Sequence, residues 1–400
     1  MNQPLDGVRV LDLGQIFLGS YCGMVLSYLG AEVIKVEPPG GETIRTRSDD
    51  GHPPQVQFLN PNKRGIIIDL KTDRGKSTFF DLVDEADVLI ENFAPGTLDR
   101  LGVGYQTLSE RNPDLIYAHG SGYGDSGPYA HYPAMDLTVQ AMSGAIHTTG
   151  FPDQPPVRAG PSICDFLGGI HLAAGILTAL FQREREGSGQ YVDVAMLDSM
   201  YPVLASPISA WVSKRDLPPR NGNRHSDGSV APYSVYETTD GYVAIACVTE
   251  PQWQRLVELM EKPALLDTEK YGTKVKRGHH VEEIDRIIEE WTIDRTKADI
   301  VSLLSEHAIP CAPVTTVPEL VDDPHLKHRN MIHPLENQGS GRSTVPVPGL
   351  PIKLSGSQPR DPIPAPHPGE HTREVLMTVA GYSTETVDEL LADEIVFDRR

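Results

Sequence analysis

Compact apolar runs and longer amphipathic runs alternate through the first 120 residues. GVRVLDL (7–13), EVIKVE (32–37), RGIIIDLK (64–71), DVLIENF (87–93) and DLIYAHGSGYG (114–124) have the length and composition of buried strands. Between them, IFLGSYCGMVLSYLGA (16–31) places apolar residues at helical spacing and stops near Gly30, and GKSTFFDLVDEA (75–86) does the same. Strands alternating with helices predict an α/β fold with a parallel sheet of Rossmann type.

The pattern then changes. LTVQAMSGAIHTT and FLGGIHLAAGILTALFQRERE are long helical patterns, followed by a strand in GQYVDVA and another helix. From Lys214 to Pro232, KRDLPPRNGNRHSDGSVAP loses all apolar periodicity, as a linker or site loop does. Asp240-Gly241 stands between two strand-like runs and predicts a hairpin. Helical patterns and IPCAPVTT follow. These signals divide the chain into the first part of a large Rossmann-like domain (1–200), a linker (201–224), a smaller α+β domain (225–325) and a Pro-rich return segment (326–400) that completes the large domain and carries one closing helix near STETVDELLADE.

Composition narrows the function. With 39% hydrophobic and 22% charged residues, the 400-residue chain can bury more than one core. Its formal net charge of −20 argues against nucleic acid as a partner, and an anionic ligand requires cations gathered locally. Cys22, Cys164, Cys247 and Cys311 form no CxxC pair and no zinc pattern, which suits a reducing cytoplasm and gives no metal site. No stretch approaches the ~20 apolar residues of a membrane span, and no secretory leader is expected. The first strand–helix turn, DLGQIFLGSYCG, spaces its glycines too widely for a dinucleotide loop, which argues against a nicotinamide enzyme.

One carboxylate stands at a junction between loop and helix: Asp136 in PAMDLTVQAMSG. Aspartate there is a favoured helix cap worth about 1 kcal/mol. It is also a carboxylate held ionised by a helix N-terminus, and so a candidate nucleophile.

GVRVLDLGQIFLGSYCGMVLSYLGAEVIKVEPPGGE, NPNKRGIIIDLKTDRGK, DVLIENFAPGTLDRLGVGY, SGYGDSGPYA, PAMDLTVQAMSG, GQYVDVAMLDSM, GNRHSDGSVAPYSVYETTDGYVAIA and PGEHTREVL occur in this order over nearly the whole chain. Together they resemble the family III CoA-transferases, the group of formyl-CoA transferase, carnitine CoA-transferase and α-methylacyl-CoA racemase. The resemblance implies a large and a small domain and an interlocked homodimer. It implies no permanently bound cofactor, with coenzyme A and acyl-CoA as substrates and a carboxylic acid as acceptor. It makes Asp136 the nucleophile, passing through an aspartyl anhydride and an aspartyl-CoA thioester. The racemase branch resembles the motif but carries a His where this chain has Met135, and a second Asp that Asp165 matches. A racemase, or a CoA-binding protein without catalysis, is the alternative.

The same resemblance proposes CoA contacts at Gln15, Lys63, Arg64, Asn92, Phe93, Arg100 and Tyr123, against the plainer reading of exposed charges and packed aromatics. After EVIKVE the family often has an arginine on the adenine. Here EPPGGE intervenes, leaving Arg45 or Arg47 to supply it. Phe17 stands where formyl-CoA transferase has a glutamine, favouring a larger or less polar acyl group. Arg224 and His225, in the loop GNRHSDG, are candidates for the acceptor's carboxylate, since Arg offers a bidentate fork.

Overall fold

The computed structural model describes residues 3–213, 220–226, 228, 230–267, 269–339 and 341–399. It contains two compact units, one made of Met1–Val139, Pro161–Met200 and Val321–Arg400, the other of Gln140–Gly160 and Tyr201–Leu320.

The first unit is built on β1 (Arg9–Asp12), α1 (Leu18–Tyr28), β2 (Glu32–Glu37), β3 (Lys63–Ile68), α2 (Asp73–Val83), β4 (Val88–Glu91), α3 (Thr97–Leu101), α4 (Tyr105–Arg111) and β5 (Ile116–Ser121). Then come α5 (Asp136–Met142, whose last residues belong to the second unit), α6 (Ile163–Glu186), β6 (Tyr191–Ala195) and α7 (Met196–Met200). All six strands pair in parallel in the order β3-β2-β1-β4-β5-β6. This is a doubly wound order, in which the direction of winding reverses between β1 and β4 and ligands bind beyond the strand C-termini near that point. Leu11, Ile34, Ile66 and Leu89 from four adjacent strands meet Phe79 and Leu82 of α2 in one core. Each such side chain, fully buried, contributes about 1.5–3 kcal/mol.

Helix α1 starts two residues later than its apolar pattern. Ile16 sits at φ 60°, a left-handed conformation that a β-branched residue rarely adopts and that no helix can include. The turn before it is tight: a Cβ on Gly14 would lie 2.6 Å from the Gly19 carbonyl carbon, so β1 and α1 join closely only because both positions lack side chains.

Helix α6, with 24 residues, is apolar enough by length and composition to cross a membrane, contrary to the sequence expectation. The charged run RERE ends the helix and masks the length of the apolar stretch. One side of the helix is buried, including Leu172, Ile176 and Ala179, and it packs against α1, β5 and β6.

The second unit includes α8 (Ala205–Val212), β7 (Tyr233–Thr238), β8 (Gly241–Ala246), α9 (Glu250–Leu259), α10 (Val281–Thr292), α11 (Lys297–Glu306) and β9 (Cys311–Pro313). Its three strands pair antiparallel in the order β7-β8-β9, and the hairpin turns at Thr239-Asp240. Trp253, Leu256, Ile284, Ile288, Ile300 and Leu304 form its core. The stretch expected as a linker over 201–224 is helical as far as Val212, and 214–219 lies outside the described residues.

The return segment holds more than loops. β10 (Ile332–Glu336) and β11 (Thr344–Pro348) form a separate antiparallel hairpin. α12 (Thr372–Thr378), α13 (Thr384–Ala392) and β12 (Val396–Phe397) then close the first unit, β12 adding antiparallel to β3 as a seventh strand. The motif PGEHTREVL fastens this segment: the Gly65 amide donates to His371 Nδ1 at 3.2 Å and the Thr372 hydroxyl to the Phe397 carbonyl at 2.7 Å.

Candidate active site

The C-terminal ends of β1, β4 and β5 open into a cavity of about 300 Å³ within the first unit. Gln15 and Ile16 come from the turn after β1, Asn92 and Phe93 from the turn after β4, and Gly122 and Tyr123 from the turn after β5. Asp136 and Met135 close another wall, and Asp165 at the start of α6 lines the same space.

Asp136 is the first residue of α5, yet its side chain serves another helix. Its Oδ1 accepts hydrogen bonds from the backbone amides of Cys164, at 2.8 Å, and Asp165, at 3.4 Å. Both amides belong to the first turn of α6, where no intrahelical acceptor exists and the helix dipole is positive. Two amides thus meet one carboxylate oxygen and fix the side chain in direction. The approach is tight: a Cβ on Gly122 would come within 2.1 Å of the Ala134 side chain.

Asp165 has a different environment. Burial, then the charge of Asp136, pushes its carboxyl up to about 7. A carboxyl raised in this way can carry a proton nearer neutral pH than an ordinary aspartate, which suits an acid–base role. The sequence signal for Asp165 was its match to the racemase pattern, which left its role open.

The turn after β1 is braced from beneath by buried ion pairs. Lys63 Nζ lies 2.7 Å from Asp12 Oδ2 and donates to the Ser20 carbonyl at 2.9 Å and to Asn60 Oδ1 at 2.8 Å. Asp12 in turn accepts from the Gly14 amide at 2.7 Å. Lys35 donates to the Gly14 carbonyl at 2.7 Å and pairs with Glu42 at 3.1 Å, and Glu42 accepts from the Ile16 amide at 3.0 Å. Arg45 is fully engaged by Glu37, with both contacts at 2.6 Å.

These contacts revise several expectations. Lys63 is buried and its donors are satisfied inside the fold, so it does not present a charge to a phosphate. Arg64 stands at the start of β3, while the cavity lies at strand C-termini, and it pairs with Glu32 and Glu374. Arg45 is likewise internal, and Arg47 lies over the Phe17 ring. Phe17 is not among the cavity's walls. It stacks on Phe166 with ring centroids 6.0 Å apart, so it gives no information on acyl-group size.

Gln15, Asn92, Phe93 and Tyr123 do meet in the cavity. Asn92 clasps the Gln15 backbone, accepting from its amide at 2.6 Å and donating to its carbonyl at 3.1 Å. Tyr123 packs edge-on against Tyr129 and Tyr132. Arg100 is exposed on α3, with its Nη2 on the Thr97 hydroxyl at 2.9 Å and its guanidinium beside Gly96, next to the cavity residue Pro95. Arg224 and His225 belong to the second unit, where Arg224 pairs with Asp285 at 2.8 Å and His225 packs edge-on to Tyr233.

Comparison with known proteins assigns the fold and its chemistry. Residues 5–372 match CoA-transferase family III. The succinyl-CoA:mesaconate CoA-transferase of Haloarcula hispanica is 37% identical, covering 96% of this chain and 98% of its own. The succinate–glutarate CoA-transferase of Agrobacterium fabrum is 35% identical, covering 93% and 95%. The crystal structure of a CAIB/BAIF family protein from Brucella suis superposes with a TM-score of 0.84 at 34% identity, over 95% of this chain and 100% of that one. With this match running from before the first strand to the start of α12, the chain belongs to the family III CoA-transferases and is an acyl-CoA:carboxylate CoA-transferase.

Proposed function

We propose that Asp136 carries CoA between two carboxylic acids by covalent catalysis. An Asp136 oxygen attacks the thioester carbonyl, the C–S bond breaks, and CoA leaves as thiolate with an aspartyl anhydride behind it. The thiolate attacks the aspartyl carbonyl and releases the first acid as carboxylate, leaving an aspartyl-CoA thioester. The acceptor carboxylate attacks that thioester and forms a second anhydride. The returning thiolate attacks the acceptor's carbonyl, giving the new acyl-CoA and free Asp136. Each step exchanges one acyl bond for another, so the sequence needs no activated water. The observation that carries the reading is the Asp136 carboxylate on the cavity wall, anchored through one oxygen by the α6 amides.

Dicarboxylic acids are the proposed substrate class, because the relatives above are named for succinate, mesaconate and glutarate. The described walls of the cavity carry tyrosines and amides but no cation. We therefore retain Arg224 for the acceptor's carboxylate and Arg100 for a CoA phosphate. Racemisation is disfavoured because Met135 lines the cavity where a second base is required, and a thioether accepts no proton.

An interlocked homodimer, with the first unit as the Rossmann-like large domain and the second as the small one, belongs to the same reading. It is supported by large apolar side chains left uncovered in the single chain: Phe181, Tyr201 and Trp211 are 65%, 68% and 79% exposed. Four free thiols suit a reducing cytoplasm.

The test is a panel of acyl-CoA donors with and without acceptor acids, followed by peptide mass spectrometry. A CoA adduct on the Asp136 peptide is expected. Transfer undiminished in Asp136→Ala overturns the mechanism. Proton exchange at the α-carbon without an acceptor favours the racemase. Arg224→Ala should raise the KM of the acceptor more than that of the acyl-CoA.

A further inference from the structure

Behind the cavity, three parallel strands place ionisable side chains side by side. Glu91 of β4 is in register with His119 of β5, and His119 is in register with Asp193 of β6. In-register neighbours share a sheet face, so the three groups form one row. His119 is only 2% exposed. Asp125, four residues past the end of β5, folds back over the row, and Tyr191 donates its hydroxyl to Asp125 Oδ2. Tyr117 donates to Glu91 at 3.1 Å.

Both ring nitrogens of His119 face acceptors. Nε2 is 3.1 Å from the Phe93 carbonyl, and Nδ1 is 2.9 Å from Asp125 Oδ1. The Nδ1 contact is close without an aligned N–H, so it is an ion pair more than a directed hydrogen bond. A carbonyl donates nothing, and Asp125 already accepts from Tyr191. A neutral imidazole carries one N–H and one lone pair, so one of its nitrogens would have to point a lone pair at oxygen. Only the imidazolium satisfies both sides. The electrostatics agree: burial alone lowers the ring's proton affinity, but Asp125 and Glu91 outweigh burial and hold it up at about 9. Asp193 and Glu91 are both pushed up, burial being the main cause, which limits the negative charge in the row.

The two acceptors lie in different segments around the cavity. Phe93 lines it from the turn after β4, and Asp125, itself outside the lining, follows two residues after the lining residue Tyr123 in the segment after β5. We propose that His119 is a positioning residue whose imidazolium ties the Phe93 turn to the Tyr123 turn and so sets the width of the acyl-CoA cavity. The inference rests on the cavity being the acyl-CoA site. Loss of the proton cuts one of the two ties and lets the walls part, so the cost falls on binding acyl-CoA more than on the bond-making at Asp136.

The experiment has a structural and a kinetic arm. In protein labelled at histidine with ¹⁵N, the His119 resonances, assigned by their absence in His119→Gln, are followed from pH 6 to 10. The imidazolium pattern should persist through pH 8 and titrate near 9, and Asp125→Asn should shift that titration downward. A neutral tautomer at pH 7.5 overturns the proposal, and if His119→Gln fails to fold, sequential backbone-to-ring assignment in wild type identifies the resonances instead. In the kinetic arm, the wild-type KM for acyl-CoA rises above pH 8, while His119→Gln has a KM about tenfold higher at pH 7.5 and flat with pH. An unchanged alkaline rise in the variant, or a fall in kcat larger than the rise in KM, overturns it. His119, Asp125 and Asp193 also bring possible ligand atoms within 4.8 Å of one another. Zinc binding at micromolar concentration, lost in His119→Gln, would mean that a metal takes the Nδ1 lone pair, and it also overturns the proposal. Failure to find CoA on the Asp136 peptide would sink the transfer mechanism and leave the resonance titration standing, so the two failures are distinguishable.

Discussion

Asp165 becomes a second negative charge beside Asp136 when it loses its proton near pH 7. An anionic acceptor entering the cavity then meets two carboxylates instead of one. The KM for the acceptor acid should rise as pH passes 7 in wild type and stay flat in Asp165→Asn, as initial-rate kinetics from pH 6 to 8.5 will show. Two cations make a contrasting pair. Lys63→Ala leaves Asp12 buried without its partner and should lower the unfolding free energy by about 3–5 kcal/mol in denaturant titrations. Arg100→Ala, at an exposed site, should leave stability within about 0.5 kcal/mol while raising the KM for acyl-CoA several-fold. Sequence shows that a cation follows NPN at position 63, but not that its counter-charge lies 51 residues earlier at Asp12. The reading of Asp136 as a nucleophile, proposed above, comes from the family resemblance. Its own position spoke more for a cap than for a nucleophile, and in the structure its side chain accepts from the first turn of a different helix.

The strand–helix alternation was plain because strands buried on both faces are written as unbroken apolar runs. Six of the seven strands of the large sheet follow from it. The seventh, β12, has two residues, too short for any periodicity, and the β10–β11 hairpin is hidden by Pro334, Pro346 and Pro348, which a sequence reader takes for loop. Close contacts between elements were equally invisible. Gly122 against Ala134 gives a direct test of one: Gly122→Ala should cut kcat/KM at least tenfold by displacing the Asp136 segment, and adding Ala134→Gly should restore much of it. Failure of the second change to rescue would show that the contact does not set the position of Asp136.

For the molecule as a whole, two histidines bracket the pH range of stability. His52 is buried and stacked on His367, and burial, followed by the charges of His367 and Arg45, pushes it down to about 4. Its neutral form stabilises the fold fully above pH 6.5, and this contribution is lost as pH falls through 4. His119 acts in the opposite sense: held up at about 9, it stabilises fully below pH 6.5, and that contribution is lost as pH rises through 9. Together they place the optimum near pH 6.5. Thermal unfolding from pH 4 to 10 should give a bell whose alkaline limb disappears in His119→Gln and whose acid limb weakens in His52→Gln. A bell unchanged in both variants would assign these limbs to other groups.

The β12–β3 pairing has a further consequence, for how the protein is made on the ribosome. Val396 pairs with Ile68, more than three hundred residues earlier in the chain. At the usual rate of synthesis, the outer edge of β3 waits on the order of half a minute for its partner. The second unit is interposed within that interval and has a core of its own. The nascent chain therefore carries an open sheet edge while its later-made portion is already able to fold, and this interval is when the polypeptide most needs a chaperone.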